Sequence, residues 1–152
     1  MKKIFLLLGS VVLLLGCNST TNLDNAPQFK PLLNKVLKTK KDLVVMDLKG
    51  RKKTLALHIP GTSGIPELKD VPTQLPAQYY GAVVYGVFPV GSTFQIVHVD
   101  RTKTFESSYL DFYAVITSEG KFKGQKMDIS ILTNQTYPQV PPFDAEFLDE
   151  VK

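Results

Sequence analysis

The sequence of 152 residues has few of the side chains on which most metal sites and redox sites depend. It contains one cysteine, two histidines and no tryptophan. A single cysteine excludes a disulfide framework, a CxxC redox pair and a zinc site built on several thiolates. The two histidines, His58 and His98, are therefore the main candidates for acid–base or metal chemistry.

The first sixteen residues are typical of an export signal. Lys2 and Lys3 precede an apolar run at residues 4–15. This run is much shorter than the roughly 20 residues that a helix needs to span a bilayer. A short apolar run behind positive charges predicts a signal peptide rather than a permanent membrane span. We therefore predict a signal peptide at residues 1–16.

The apolar run ends in Leu14, Leu15, Gly16 and Cys17, after which the sequence becomes polar. These four residues resemble the lipobox of bacterial lipoproteins. The resemblance implies cleavage before Cys17 and a lipid on its thiol, which would hold the protein in the cell envelope and remove this thiol from catalysis. Asn18 implies, by the same analogy, the outer membrane and a domain that faces the periplasm. The alternatives are an ordinary secretory signal with a chance cysteine, or an uncleaved anchor.

Beyond the signal, composition predicts a tether and one domain. Residues 17–27 are small and polar, with Asp24 as the one charge, and are expected to form a flexible tether. Residues 28–152 are expected to form a single β-rich globular domain. Loss of Lys2 and Lys3 leaves 16 basic and 14 acidic residues, a net charge of +2. This small charge argues against nucleic acid as a partner.

Basic residues are concentrated between residues 30 and 53, where nine of them lie. Acidic residues follow near the other end of the sequence, at Asp144, Glu146, Asp149 and Glu150. The basic window would either contact anionic phospholipid or form a solvated face. We favour the solvated face, because no single stretch is dense enough to require a lipid partner.

Periodicity predicts one helix followed by strands. Pro31 opens a candidate helix in which Leu32, Leu33, Val36 and Leu37 recur at helical spacing. Later β-rich runs are separated by Gly and Pro turns, at residues 42–48, 53–59, 80–88, 93–99, 109–117 and 126–132. Polar residues 101–108 predict a loop. The expected fold class is mainly β, a small antiparallel barrel or rolled sheet with one short N-terminal helix.

Two segments resemble the SH3-like barrels of some small envelope lipoproteins. They are FPVGSTF at residues 88–94, which enters a strand, and GKFKGQKMD at residues 120–128, which leads to the last strand. The polar stretch after Val99 matches the long variable loop of that family. The resemblance implies an SH3-like barrel and leaves the function open.

Three residues are weighed for chemistry. His98 and Asp100 would share one face of a strand and offer two metal ligands, but a stable site needs a third or fourth ligand that the sequence does not indicate. Ser63 lies in Gly-Thr-Ser-Gly at residues 61–64. This segment lacks the Gly-x-Ser-x-Gly frame of a nucleophile elbow, and a turn explains its glycines. We therefore predict no catalytic residue, no metal and no cofactor.

Aromatic residues are numerous for one small domain: Tyr79, Tyr80, Tyr85, Phe88, Phe94, Tyr109, Phe112 and Tyr113. We expect most of them in the core and some at a partner surface, where tyrosine gives a large contact area. A Pro-rich segment at residues 137–143 is expected to cross the domain as a strap, or alternatively to dock in polyproline form.

These features predict a lipid-anchored, non-enzymatic envelope protein. Its partners would be the membrane, through the lipid on Cys17, and another protein or an envelope component. One alternative is an envelope hydrolase acting on lipid or peptidoglycan with His58 or His98 in its site. A second is a periplasmic inhibitor or immunity protein.

The substitution Cys17→Ala tests the anchor, because it removes the thiol to which the lipid would be attached. Mass spectrometry of the membrane fraction is expected to find an acylated peptide that starts at Cys17 in the natural protein, and to find neither processing nor lipid in the variant. A natural protein that is processed normally but recovered in soluble form would contradict the anchor.

Overall fold

The computed structural model describes residues 18–48, 54–134 and 142–151. These ranges contain ten strands and three single turns of 3-10 helix, so the predicted mainly β fold is confirmed. The strands are β1 (Ser19–Asn22), β2 (Val36–Thr39), β3 (Leu43–Leu48), β4 (Leu55–His58), β5 (Ala77–Tyr79), β6 (Ala82–Phe88), β7 (Thr93–Lys103), β8 (Ser108–Ile116), β9 (Lys126–Asp128) and β10 (Leu148–Glu150). No helix in these ranges has the length and apolar character needed to cross a bilayer.

All ten strands belong to one sheet in the order β10-β2-β7-β8-β9-β4-β3-β6-β5, and β1 lies beside β2 on the same edge of β7. The pairs are antiparallel except β4 and β9, which run parallel. The two end strands, β10 and β5, do not pair with each other in the part of the chain that the structure describes. The sheet is therefore open rather than a closed barrel.

The sheet curls around one main core. The rings of Phe88 in β6 and Phe94 in β7 lie 6.3 Å apart, although these strands are five steps apart in the sheet. The hydroxyl of Thr39 donates to the carbonyl of Pro89 at 3.0 Å, which ties the turn after β6 to β2. Because the chain passes from β6 to β7 through the short turn at residues 89–92, these two strands approach without pairing.

β3 is buried on both of its faces. Leu43 and Val45 contribute to the main core. Val44 and Met46 belong to a second apolar cluster with Ala82 and Val84 of β6. The loop between β4 and β6 covers this second cluster with four partly buried side chains, Ile65, Val71, Leu75 and Tyr79. Burial on both faces explains why the first four residues of β3, at positions 43–46, are all apolar instead of alternating with polar residues.

The structure does not confirm the N-terminal helix. Only one 3-10 turn, Lys30–Leu32, forms there. Asn34 then adopts a positive φ of 69°, a conformation that stops a right-handed helix. Val36 and Leu37, expected on the helix face, lie in β2 opposite Gln95 and Phe94. In β2 the buried residues are Leu37 and Thr39, with exposed Lys38 between them, and pairing with β7 makes this segment a strand.

Two polar segments differ from their predictions for a shared reason. Residues 19–22, expected within a flexible tether, form β1 and pair with residues 100–103 of β7. Residues 101–103, expected in a loop, continue β7 to Lys103. Every residue of β1 is exposed, so this strand carries no apolar pattern that sequence reasoning could detect. Pairing satisfies the backbone whatever the side chains are.

Three predicted features lie outside the described residues. They are the signal peptide at residues 1–16 with the proposed lipid site Cys17, the basic residues between 49 and 53, and most of the Pro-rich segment. The described end of that segment includes Phe143, which forms an isolated bridge with Thr133 and contacts the ring of Phe112 at 6.2 Å.

Phe94→Ala is expected to lower the free energy of unfolding by about 3–5 kcal/mol, because Phe94 is fully buried and its removal leaves a cavity. The matched control is Phe105→Ala, since Phe105 is 90% exposed and its loss should change stability by less than about 0.5 kcal/mol. Urea unfolding followed by circular dichroism measures both. Equal losses in the two variants would contradict the curled core.

Candidate functional site

A polar cluster of Asp24, His98 and Asp100 joins the segment after β1 to the outer face of β7. His98 lies between the two carboxylates: Nδ1 is 2.8 Å from Oδ2 of Asp24, and Nε2 is 3.0 Å from Oδ1 of Asp100. All three side chains are between 16% and 25% exposed. We refer to these residues as the Asp24 clamp.

A bulge in β7 gives His98 its place in the clamp. Ile96 lies opposite Ala114 while His98 lies opposite Tyr113, so Val97 is the extra residue. Such a bulge moves later side chains to the other face of a strand. Ile96 and Val99 consequently both point into the core, and His98 and Asp100 lie on the outer face.

Asp24 accepts hydrogen bonds from two groups besides His98. Its Oδ1 accepts from the backbone N–H of Val99 at 2.8 Å, and its Oδ2 from the side-chain amide of Asn22 at 3.2 Å. Burial by itself would raise the pKa of the Asp24 carboxyl. The bonds from Val99 and His98, together with the charge of His98, outweigh burial, and the pKa of Asp24 is lowered.

Both ring nitrogens of His98 already have a carboxylate partner in the Asp24 clamp. Carboxylate oxygens only accept, so both contacts are hydrogen bonds when the imidazole carries a proton on each nitrogen. In that form neither nitrogen offers a lone pair. The structure does bring His98 and Asp100 together on one face, as predicted, with Nε2 of His98 within hydrogen-bond distance of the carboxylate. No trio of His, Cys, Asp or Glu in the described ranges is arranged to hold a metal.

A cleft of about 290 Å³ lies where the curled sheet fails to close, and we call it the seam cleft. One wall is the end of β6, and the opposite wall is the turn between β8 and β9. Its lining is made of Leu75, Gly86, Val87, Phe88, Pro89, Ser92, Ile116, Ser118, Glu119, Gly120, Lys121 and Phe122. The floor is mainly apolar, and Ser118, Glu119 and Lys121 supply polar groups at the rim.

The β6 wall of the seam cleft is an open strand edge. β5 pairs with β6 only at residues 82–84. Past that point no described strand pairs with this edge, although β3 continues along the other one. The ammonium group of Lys121 donates to the carbonyl of Tyr85 at 2.6 Å and so occupies one acceptor of this edge.

Gly86 allows the two walls of the seam cleft to approach each other. A Cβ on Gly86 would lie 3.2 Å from Cζ of Phe122, and its φ of +155° is one that other residues rarely adopt. The ring of Phe122 therefore packs against bare backbone. Lys121 lies over the same ring, 5.6 Å from its centroid. These contacts of the Phe122 ring, and not pairing with a strand, hold the floor of the seam cleft in place.

A second cleft, of about 320 Å³, contains two residues of the hydrolase alternative. His58 at the end of β4 and Ser63 in the following turn line it, together with Gly64, Ile65, Tyr80, Gly81 and Ala82. Within the described ranges the Ser63 hydroxyl makes no hydrogen bond. His98 is not among the residues that line this cleft.

The predicted aromatic residues divide between core and surface. Phe88, Phe94 and Phe112 are in the core. Tyr80 is 89% exposed at the rim of the second cleft and has a positive φ of 44°. Phe105, which the sequence did not single out, is 90% exposed in the turn between β7 and β8. Its flanking residues are polar, and the loop predicted at residues 101–108 was the one sequence signal of its exposure.

The basic window is paired with the acidic end of the described chain. Lys35 contacts Glu150 at 2.7 Å, Lys40 lies 3.6 Å from Asp149, and Lys41 pairs with Glu146. β10 runs along β2, which brings the two groups of opposite charge together. These contacts account for three lysines without a lipid partner.

Comparison with known proteins adds no relative. No protein-family model, no curated protein and no solved structure matches this chain. Its function is therefore inferred from the geometry of its own clefts, edges and surface residues.

Asp24→Asn is expected to lower the free energy of unfolding at neutral pH by about 1–2 kcal/mol, because the hydrogen bonds to a charged carboxylate are weakened. Since the pKa of Asp24 is lowered on folding, its stabilisation is complete above its unfolded pKa of about 4 and is lost as the pH falls through the lowered value. Urea unfolding at several pH values should show the natural protein and the variant converging in acid.

The matched control is Asp70→Asn, an exposed carboxylate outside the clamp, which should change stability little at any pH. A difference between natural protein and Asp24→Asn that persists unchanged in strong acid would contradict the role of the Asp24 charge.

Proposed function

We propose that this protein is a lipoprotein anchored through Cys17 in the outer membrane, facing the periplasm, and that its β domain binds an extended segment of another envelope protein in the seam cleft without catalysis. The open edge of β6 beside an apolar floor is the observation that supports this function best.

An extended segment suits this edge because it can supply the missing strand. An unpaired edge presents N–H and C=O groups in a row, and peptides are commonly recognised by pairing with such a row. In the unbound protein, Lys121 covers part of this edge through its hydrogen bond to the carbonyl of Tyr85. A bound segment would take over this carbonyl and release the ammonium group of Lys121 to contact an acidic residue of the partner.

The size and lining of the seam cleft favour a few side chains over a cofactor. Its volume of about 290 Å³ is at the lower end of the range of small-molecule sites, roughly 300–1,000 Å³. Phe122 and Leu75 give an apolar floor for one or two alternate side chains of an extended segment, which all project to the same side. Glu119 and Ser118 at the rim would set the preference for polar neighbours.

The sequence supports the anchor, and the strand layout supports the finer fold. The lipobox resemblance at residues 14–17 and the short apolar run before it are the grounds for a lipid on Cys17. We further propose that the curled sheet is a rolled relative of the SH3-like barrels. The six strands from β7 through β8, β9, β4 and β3 to β6 surround the main core, with the seam between β6 and β7 left unpaired.

Site-specific photo-crosslinking in intact cells tests the binding proposal. A crosslinking amino acid at position 121, on the rim of the seam cleft, is expected to give one discrete adduct with an envelope protein. The same amino acid at position 69, another exposed lysine outside the cleft, is the matched control and should give none. Equal adducts at both positions, or none at position 121, would count against a partner in the seam cleft.

A second candidate function is hydrolysis in the second cleft, because His58 and Ser63 line it together. An activated serine needs a base within hydrogen-bond reach, roughly 2.6–3.2 Å. If the cleft is catalytic, His58→Ala and Ser63→Ala should each produce the envelope phenotype of a deletion. Normal phenotypes in both variants, together with retained crosslinking at position 121, would favour binding over hydrolysis.

A further inference from the structure

The hairpin of β7 and β8 ends in an exposed phenylalanine that is held in a defined turn. The backbone N–H of Thr104 donates to the carbonyl of Ser107 at 2.8 Å, and the N–H of Ser107 donates to the Thr104 hydroxyl at 3.0 Å. Phe105 lies between them and is 90% exposed. The turn therefore presents this ring to its surroundings in a fixed place. We call residues 103–107 the hairpin tip.

The hairpin tip projects beyond the strands that flank its base. On one side, β9 pairs with β8 only at residues 113–115. β8 starts at Ser108, five residues earlier, but the chain directly after β9 still bonds to Phe112, and Leu110 is buried in the main core. The part that projects is therefore the turn with the two strand residues Ser108 and Tyr109, which add roughly 7 Å. On the other side, β2 pairs with β7 only at residues 93–95. The one strand that accompanies the hairpin to its tip is β1.

The direction of β1 brings the start of the described chain to the hairpin tip. β1 runs antiparallel to β7, with Asn22 opposite Asp100 and Ser19 opposite Lys103. Cys17 is two residues before Ser19 in the sequence, a span of at most about 7 Å. Covalent geometry alone therefore keeps the proposed lipid site close to Lys103 and, two residues further along the chain, to Phe105.

The segment directly after β1 is bonded to β7, so it does not form a flexible link between the domain and the proposed anchor. The backbone N–H of Leu23 donates to the carbonyl of Val99 at 2.9 Å. The next residue is Asp24, which binds His98 and the N–H of Val99 in the Asp24 clamp. Residues 19–24, which were expected to form a flexible tether, instead attach the chain to the second half of β7.

We infer that the hairpin tip is a membrane contact, in which Phe105 enters the boundary between lipid headgroups and acyl chains and Lys103 faces anionic headgroups. This inference rests on the lipid anchor proposed above. A ring that is almost fully exposed to water gains by entering an apolar phase, and a cation beside it is attracted to an anionic surface. Three lysines of the basic window, Lys35, Lys40 and Lys41, already contact the acidic tail.

The absence of tryptophan from the sequence allows a direct test with a single fluorophore. The full-length lipidated protein carrying Phe105→Trp is reconstituted into vesicles of phosphatidylethanolamine and phosphatidylglycerol with brominated acyl chains. The emission is expected to shift to the blue and to lose most of its intensity by bromine quenching. Val90→Trp is the matched control, because Val90 is exposed and lies before the start of β7, at the end opposite the tip. Its emission should neither shift nor fall.

The outcomes separate this inference from the proposed anchor. Protein that floats with the vesicles while Phe105→Trp remains unquenched overturns the membrane contact and leaves the anchor standing. Protein that does not float and yields no acylated Cys17 peptide overturns both. A crosslink from position 105 to an envelope protein in cells, without quenching in vesicles, assigns the hairpin tip to a protein partner and also overturns the inference.

Discussion

The fold depends on the requirement that apolar faces of strands far apart in the sheet share one core. A flat sheet of ten strands would leave Leu148 of β10 and Phe88 of β6 at distant places, yet both belong to the same cluster. The sheet therefore curls until Phe88 touches Phe94. Because the chain connects β6 to β7 by a turn rather than by a ladder of hydrogen bonds, the curl leaves a seam. The seam cleft and its open β6 edge are consequences of this geometry.

The long hairpin is the second consequence. β7 has eleven residues, more than any other strand, and its two halves have different roles. The first half pairs with β2 and contributes Phe94 and Ile96 to the core. The bulge at Val97 then changes the side to which residues point, so that the second half places His98 and Asp100 outside, where they hold Asp24. The extra residue Val97 thus allows the first half of β7 to contribute to the core and the second half to bind the segment after β1.

Apolar patterning made much of the fold predictable from the sequence, whereas the pairing of polar backbone left no pattern to read. Each predicted β-rich run contains a strand, although the run at residues 126–132 forms one only as far as Asp128 and then a 3-10 turn. The strand positions of both histidines and the common face of His98 and Asp100 were predicted correctly. The N-terminal helix was not confirmed, because Val36 and Leu37 pair with β7, a long-range contact that their helical spacing could not indicate. β1 was missed because all of its side chains are polar and exposed.

Fewer of the site residues could be predicted, because polar contacts between distant residues and open strand edges leave no pattern in the sequence. Asp24 was visible only as the one charge in residues 17–27, and nothing nearby indicated that a histidine 74 residues later would bind it. The seam cleft consists of ordinary core and turn residues whose importance comes from a strand edge left open by the curl. An open edge is a property of the whole topology, and no local motif encodes it.

The function and the membrane contact proposed above together describe a β domain that β1 would mount rigidly at a membrane, with the hairpin tip towards the lipid and the seam cleft open to a partner. Amide hydrogen exchange of the lipidated protein in vesicles tests the mounting most directly. A rigid mounting predicts that the amides of β1 and Leu23 exchange slowly, at rates comparable with those of β7 to which they are bonded. Exchange of these amides at the rate of an unstructured peptide would show that the segment is a free tether and would contradict the rigid mounting.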